Sequence, residues 1–256
     1  MFSLEQLAAI RAAEIDRVAA FFPASARVLE IGAGTGQQAL ELQRRGFKVT
    51  AVEILSSTYA AHREAAFPII DYDGHSIPLP DGGFDIVFSS NVLEHVPNLS
   101  EIHAEARRLL TPEGRCVHVL PTHGWRFWTT LSGYPDALLH VVSDIPQLLP
   151  RAMPSKGELR RLGGAWYRSA RGSAGRLLPR RHGERGNALS ELWLFHPNWW
   201  RRNFAENGFK LVHDQPMGLF YTGNMLVGPR LGLERRRRLA RIMGSACHLF
   251  VLAPAT

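Results

Sequence analysis

The chain has 256 residues, 45% of them hydrophobic and 21% charged, with a formal net charge of +7. That length suits one large domain, or one domain with a sizeable insertion, and it buries enough surface to fold without disulfide or metal staples. No run reaches the ~18 apolar residues of a membrane span, and Met1-Phe2-Ser3-Leu4-Glu5 lacks the basic and apolar regions of a secretory leader.

In chain order, Leu4, Leu7, Ala8, Ile15, Val18, Ala19 and Phe22 recur at helical spacing and predict an amphipathic helix over 3–21, stopped at Phe22-Pro23. Arg27–Ile31 reads as a strand and Gln37–Arg45 as a helix closed by Gly46. A strand at Lys48–Glu53, a helix at Ser57–Ala66 and a short strand at Pro68–Tyr72 follow. Phe84–Ser89 is a strongly apolar strand, with a helix from about Ser100 to Leu110 behind it. Thr111-Pro112-Glu113-Gly114 reads as a turn before a strand at Arg115–Leu120. Strands alternating with helices predict an α/β fold with a parallel sheet covered on both faces. Its strand carboxyl ends then share one edge, where ligands bind.

At Pro121 the pattern breaks, and residues from Thr122 to about Asn198 are rich in Trp, Arg, Gly and Pro. Beyond them a helix is expected at Asn198–Asn207, strands at Phe209–His213 and His248–Leu252, and a basic helix at Glu234–Met243 between those strands. Cys116 and Cys247, the only cysteines, lie in apolar runs away from any Cys/His cluster and read as buried reduced thiols. No H-x-x-x-H or H-x-D spacing occurs, so no metal site is expected.

Charge is unevenly spread. Residues 1–150 hold 11 Lys/Arg against 17 Asp/Glu, residues 151–202 hold 12 against 3, and residues 230–241 hold 6 against 1. The basic excess of the later segments suits an anionic partner. Trp125, Phe127, Trp128, Leu131, Tyr134, Leu138, Leu139, Val141 and Val142, extended by Leu148, Leu149 and Met153, form an aromatic and apolar stretch. Arg151, Lys156, Arg160 and Arg161 follow it. Rings beside cations suit contact with an anionic membrane surface; a lid over the site or a homodimer face suits the same residues. Arg235–Arg238 point all round a helix rather than forming one stripe, and no RNA-binding module accompanies them, which argues against a nucleic-acid substrate.

The chemistry concentrates in Val28-Leu29-Glu30-Ile31-Gly32-Ala33-Gly34-Thr35-Gly36. A strand hands over to a helix through glycines that let backbone N–H groups face a ligand. The third glycine comes one residue earlier than in the G-x-G-x-x-G dinucleotide fingerprint. Glu30 would repel a pyrophosphate but suits a cationic amine, and no lysine follows as in a Walker loop. Glu53 ends the second strand, where a ribose-binding acid is expected. Asp73-Gly74 follows the third strand, and Asn91-Val92-Leu93-Glu94-His95 the fourth.

Taken with Leu79-Pro80-Asp81-Gly82-Gly83-Phe84-Asp85-Ile86-Val87 and Leu93-Glu94-His95-Val96, this set resembles the successive motifs of class I S-adenosylmethionine-dependent methyltransferases, in the type-11-like group. The resemblance covers about residues 25–122. It implies a Rossmann-like seven-stranded, mostly parallel sheet with an antiparallel C-terminal hairpin, and S-adenosyl-L-methionine as cofactor. It implies that Glu30 and the Gly32, Ala33, Gly34 and Gly36 backbone hold the methionine part, with Gln37 as an added contact and Asn91 and Val92 beside it. Glu53 would bond the ribose hydroxyls, Ile54 would pack on the adenine, and Asp73 with Gly74 would read its amino edge. Asp71 is the rival for that role, but the distance from Asp73 to Pro78 fits the family spacing.

Methyl transfer to a hydroxyl needs an aligned acceptor and a base. His95 is the first base candidate and His123 the second; a packing histidine is the alternative reading of His95. His182, Glu184, Arg185 and Asn187 form a polar run suited to a substrate-binding loop, with Tyr221 as a further lid candidate. One domain over 1–256 is expected, with the cofactor core at 25–122 and a lid or substrate insertion at 123–198. Residues 199–256 would complete the sheet, with a basic helical insertion near 229–243. The aromatic and basic insertion also resembles, more weakly, methyltransferases of bacterial polysaccharide and glycolipid pathways. The expected acceptor is a saccharide, glycolipid or other small molecule, methylated in the cytoplasm with peripheral contact at the inner membrane surface. The rivals are a nicotinamide-dependent oxidoreductase, an RNA methyltransferase and a non-catalytic binding protein of the same fold.

Overall fold

The computed structural model describes residues 4–57, 67–134, 181–224 and 228–255. Its elements are α1 (Leu4–Ala19), β1 (Arg27–Ile31), α2 (Gln37–Arg44), β2 (Lys48–Ile54), β3 (Ile69–Tyr72), β4 (Phe84–Ser90), α3 (Leu99–Leu109) and β5 (Leu110–Pro121). After these come α4 (residues 123–134), α5 (Glu191–Leu194), α6 (Pro197–Glu206), β6 (Phe209–Pro216), α7 (Leu233–Met243) and β7 (Cys247–Pro254). Most of the helix expected at 57–66, and the apolar and basic stretch from Leu138 to Arg161, lie outside the described residues.

The seven strands form one sheet in the order β3-β2-β1-β4-β5-β7-β6. β1 through β5 pair in parallel, and β7 runs antiparallel to both β5 and β6. Alternate residues of the inner strands serve opposite faces, as the period of a strand requires. Val28, Ile86, Phe88, Val117, Val119, Leu249 and Val251 pack on one side with Ile10, Ile15 and Val18 of α1 and Leu42 of α2. Leu29, Ile31, Val87, Cys116, Leu120, Phe250 and Leu252 pack on the other, with Ile102 and Leu109 of α3 and Trp200 and Phe204 of α6. Both cysteines are buried and free.

The clearest departure from the sequence reading lies in β5. Thr111–Gly114 is not a separate turn; it lies within β5, whose pairing jumps from Phe84↔Leu110 to Ile86↔Arg115. The four residues are absorbed as an irregularity in the ladder, so the Pro-Glu-Gly signal marks a bulge rather than a break. The strand carboxyl ends of β1, β2, β3, β4 and β5 share one edge, the place where an open α/β sheet binds ligands.

Candidate active site

The loop after β1 holds its glycines in the left-handed region, with φ of +74° at Gly32, +57° at Gly34 and +87° at Gly36. At Gly32 a Cβ would lie 2.5 Å from Val92 Cγ2, so the loop also needs glycine for close approach to the turn after β4. Glu53, at the end of β2, holds the loop from the side. Its Oε2 accepts from the Gly34 N–H at 2.6 Å and its Oε1 from the Ile54 N–H at 2.9 Å. Glu30 is 1% exposed, and its Oε2 has no hydrogen-bond partner. Burial first, and then the charge of Glu53, push the Glu30 carboxyl up to about 8.

Asp73 follows β3 in a turn where its Oδ1 accepts from the Ser76 and His75 N–H groups, which hold the carboxyl below its ordinary range. Gly74 beside it has φ +89°, and Ile54 is partly exposed across from it. Asn91, just past β4, takes φ +55°, rare for a non-glycine residue, while its N–H donates to Val119 O at 2.8 Å. With its amide oxygen turned toward α1, Asn91 accepts from Arg11 Nη1 at 2.6 Å. Sequence reasoning missed Arg11, because a helical arginine carries no motif. Arg11, Ile15, Gln37 and Gln38 line a cleft between α1 and α2 that opens beside the first turn of α2.

A second wall faces the same edge. Leu93–His95 form a single 3-10 turn, and the segment 182–191 is tied against it. The Glu184 N–H donates to Glu94 O at 2.9 Å, and Gly183 leaves no room there, since a Cβ would lie 2.6 Å from that oxygen. Arg185 donates to Leu93 O and Val96 O and lies over the Trp199 and Trp200 rings at 5.5 and 5.7 Å. Glu191 Oε1 accepts from the His182 and Gly183 N–H groups, and its Oε2 pairs with buried Arg126 Nε of α4 at 2.7 Å. Asn187 Oδ1 accepts from the Leu189 and Ser190 N–H groups and so opens α5.

His95 and His182 meet edge to face on this wall, their ring centroids 4.8 Å apart. Burial lowers His95 below the usual imidazole value, against the opposing pull of Glu184 and Glu191. Burial, then His95 and Arg126, take His182 down to about 4. Both rings are therefore neutral near pH 7. Beneath them Glu94 is 1% exposed with neither carboxylate oxygen hydrogen-bonded, and burial pushes it up to about 8.

The structure thus brings together Glu30, Gly32, Ala33, Gly34, Gly36, Gln37, Glu53, Asn91 and Val92 around one loop, with Ile54, Asp73 and Gly74 next to it. His95, His182 and Glu184 line the second wall. Arg185 and Asn187 spend their polar groups on backbone there. Tyr221 is buried with its hydroxyl donating to Glu14 Oε1 at 2.9 Å, so it sits in the core beneath α1 rather than on a lid. His123 stacks on His196 at 4.6 Å at the start of α4, and burial followed by His196 lowers it. No metal site is expected from the spacing, yet Glu94, His95 and His182 converge with donor atoms within 4.8 Å of one another.

Residues 29–118 match the methyltransferase domain family. The chain is 31% identical over 126 residues to a ubiquinone biosynthesis O-methyltransferase of Nitrosococcus oceani, covering 46% of this chain and 49% of that protein. It is 30% identical over 111 residues to a 27-O-demethylrifamycin SV methyltransferase of Amycolatopsis mediterranei, covering 39% and 41%. The chain thus spans less than half the length of these curated relatives. In fold it is similar over 98% of both chains to a SAM dependent methyltransferase from Aquifex aeolicus, with a TM-score of 0.53 at 10% identity. The glycine loop, the two strand-end acids and this sheet order place residues 29–118 in the class I S-adenosylmethionine-dependent methyltransferase family, type-11 group.

Proposed function

We propose that the chain is an S-adenosylmethionine-dependent O-methyltransferase acting on a hydroxyl of a saccharide, glycolipid or other small molecule. The observation that carries this reading is the pairing of two carboxylates with the glycine loop. Glu30 lies buried with an unpartnered oxygen, and Glu53 clamps Gly34 at the end of the next strand. These residues fit the cofactor. The orphaned Glu30 oxygen suits an ammonium group, and each Glu53 oxygen retains a lone pair for a ribose hydroxyl. Gly32 keeps a side chain out of the space beside Val92. Asp73 and Ile54 offer a polar edge and an apolar surface for the adenine.

When bound, S-adenosylmethionine supplies an electrophilic methyl group on a sulfonium. The remaining work falls to the chain. The acceptor must be held in line and shielded from water, and the wall of 93–96 and 182–187 stands where it can do both. His95 on that wall is neutral and partly exposed, and takes the acceptor's proton. The two relatives named above are O-methyl-type enzymes by name, which supports oxygen as the attacked atom.

The acceptor's lipid-linked form is supported by α7. Arg236 is turned inward onto Phe220 O, Gly228 O and Leu231 O, while Arg235, Arg237, Arg238 and Arg241 are exposed beside a nearly bare Ile242. Cations next to an exposed aliphatic side chain suit an anionic interface. Among the described residues no helix is long and apolar enough to cross a membrane, so such contact would be peripheral. Calorimetric titration with S-adenosylhomocysteine tests the central reading: micromolar binding is expected, and no binding together with binding of NADH would refute it. Flotation with anionic liposomes at low salt tests the membrane contact, which failure to float removes.

A further inference from the structure

We propose that Glu94, His95 and His182 form a binding site for one divalent transition-metal ion of the zinc, iron(II) or cobalt(II) class. Three observations carry it. First, the ligand atoms of the three side chains all lie within 4.8 Å of one another, and His95 Nε2 is 3.8 Å from Glu94 Oε1. An ion bonded at ~2.0–2.2 Å to imidazole nitrogen and carboxylate oxygen needs donors roughly 3–4 Å apart, so the exposed imidazoles need turn inward by roughly an ångström. Second, Glu94 is 1% exposed and both its oxygens lack any hydrogen-bond partner, an arrangement a folded chain rarely keeps without a ligand. Third, the backbone around the donors is fixed in advance. Glu191 holds the His182 and Gly183 N–H groups, the Glu184 N–H caps Glu94 O, and Arg185 ties Leu93 O and Val96 O.

Two neutral-donor imidazoles and one carboxylate suit a borderline transition metal better than magnesium or calcium, which take oxygen donors. Three protein ligands also leave coordination positions open, as a catalytic site does. Of the nearby charges, Glu184 and Glu191 favour a cation, and Arg11, Arg126 and Arg185 oppose it, with Arg126 paired to Glu191. Arg185 directs its guanidinium at the carbonyls on the Leu93 and Val96 side. The sequence conceals the site because Glu94 and His95 are neighbours while the third donor lies far along the chain in the insertion.

The use of such an ion rests on the O-methyltransferase reading above. A hydroxyl of the acceptor bound at an open position gives its proton to solvent more readily, so the ion, with His95 as its ligand, does the work assigned there to a free imidazole. Binding of the ion does not depend on that reading. The full chain, stripped with a chelator and dialysed, is titrated with Zn2+ by calorimetry and with Co2+ by visible absorption. S-adenosylhomocysteine titrations run in parallel.

One ion per chain is expected, with affinity at least tenfold weaker in Glu94→Gln and in His182→Asn and S-adenosylhomocysteine affinity unchanged in both. His182 is at the exposed rim, so its variant keeps the test open should Glu94→Gln fail to fold. The proposal is overturned when the stripped protein binds no ion, or when the ion binds as tightly to His182→Asn as to the wild type. Loss of S-adenosylhomocysteine binding by the wild type would instead refute the methyltransferase reading, whatever the metal does.

Discussion

Replacing Glu30 by glutamine should make the cofactor-free protein more stable in mild alkali while weakening cofactor binding. Glu30 is buried, and its carboxyl is raised from 4.5 to about 8 by burial and by Glu53. For an acid raised in the folded state, the folded chain keeps a proton that the unfolded chain releases. Stability is therefore fully present below the unfolded value and is lost as pH rises from about 4.5 to about 8. At ~1.4 kcal/mol per pH unit, the loss is about 1 kcal/mol at pH 5 and about 4 kcal/mol at pH 8, a differential of about 3 kcal/mol. Glutamine does not titrate, so the variant should lack this differential. At 2–4 °C per kcal/mol for a domain of this size, the wild-type melting temperature should fall roughly 6–12 °C further than the variant's between those pH values. Thermal melts or urea midpoints of both proteins at pH 5 and pH 8 measure it. Parallel pH profiles would show that Glu30 is not held protonated and would refute the reasoning. A second readout follows: S-adenosylhomocysteine binding at pH 7 should release close to one proton from the wild type, whose Glu30 must ionise against the ammonium. Glu30→Gln should bind more weakly and release correspondingly less.

Gly32→Ala should cost about 2 kcal/mol or more, from the left-handed φ and the contact with Val92; an unchanged melting temperature with unchanged S-adenosylhomocysteine affinity would contradict it. Arg126→Met removes one partner of a buried ion pair and should destabilise the chain by about 3–5 kcal/mol. Hydrogen exchange should then rise first at His182 and Gly183, whose N–H groups Glu191 holds, and uniform exchange would count against that coupling. His118 is pushed down to about 3 and His103 to about 4, in both cases chiefly by burial. The folded chain excludes protons that the unfolded chain binds below about 6.5, so these residues lose stability as pH falls. His118→Gln should flatten the acid limb of a urea-midpoint profile, and an unchanged limb would count against this account.

The cofactor half was legible because its constraints are local. Glycines at fixed spacing and a carboxylate at a strand end are properties of single positions, and they predict the loop and the place of Glu53; its bond to the Gly34 N–H is a finding of the structure. Strand bounds agree closely for β1 and differ by a residue or so for β2, β3 and β4, because the apolar runs there are bounded by clear breakers. β6 extends three residues past its sequence reading, since its ladder with β7 continues through Gln215 and Pro216. The second wall was not legible. Glu94 is one residue of an ordinary-looking turn, and Arg126, His182 and Glu191 come from an aperiodic stretch. Their association depends on tertiary packing that no spacing records. The polar run around His182 signals a loop; it does not reveal that Arg185 and Asn187 are consumed by backbone bonds.

The distribution of buried ionisable groups ties these two halves together. Glu30, Glu94 and the Arg126–Glu191 pair are all at or near the carboxyl edge of the sheet, and each costs stability in the free chain. The sheet interior beneath that edge is largely apolar, and its buried Ser89 and His118 hydrogen-bond to each other. A chain selected for stability alone would place leucine or methionine at such positions. Glu191 has a structural use, since it holds the loop that carries His182. Glu30 and Glu94 have orphaned oxygens and no such use. One stands beside the glycine loop and the other beneath the two histidines, and a positive ligand at each would convert a cost into a binding contribution. For Glu30 the proposed ligand is the ammonium of the cofactor; for Glu94 it is the proposed metal ion. The two assignments share one physical argument, and each can fail without the other.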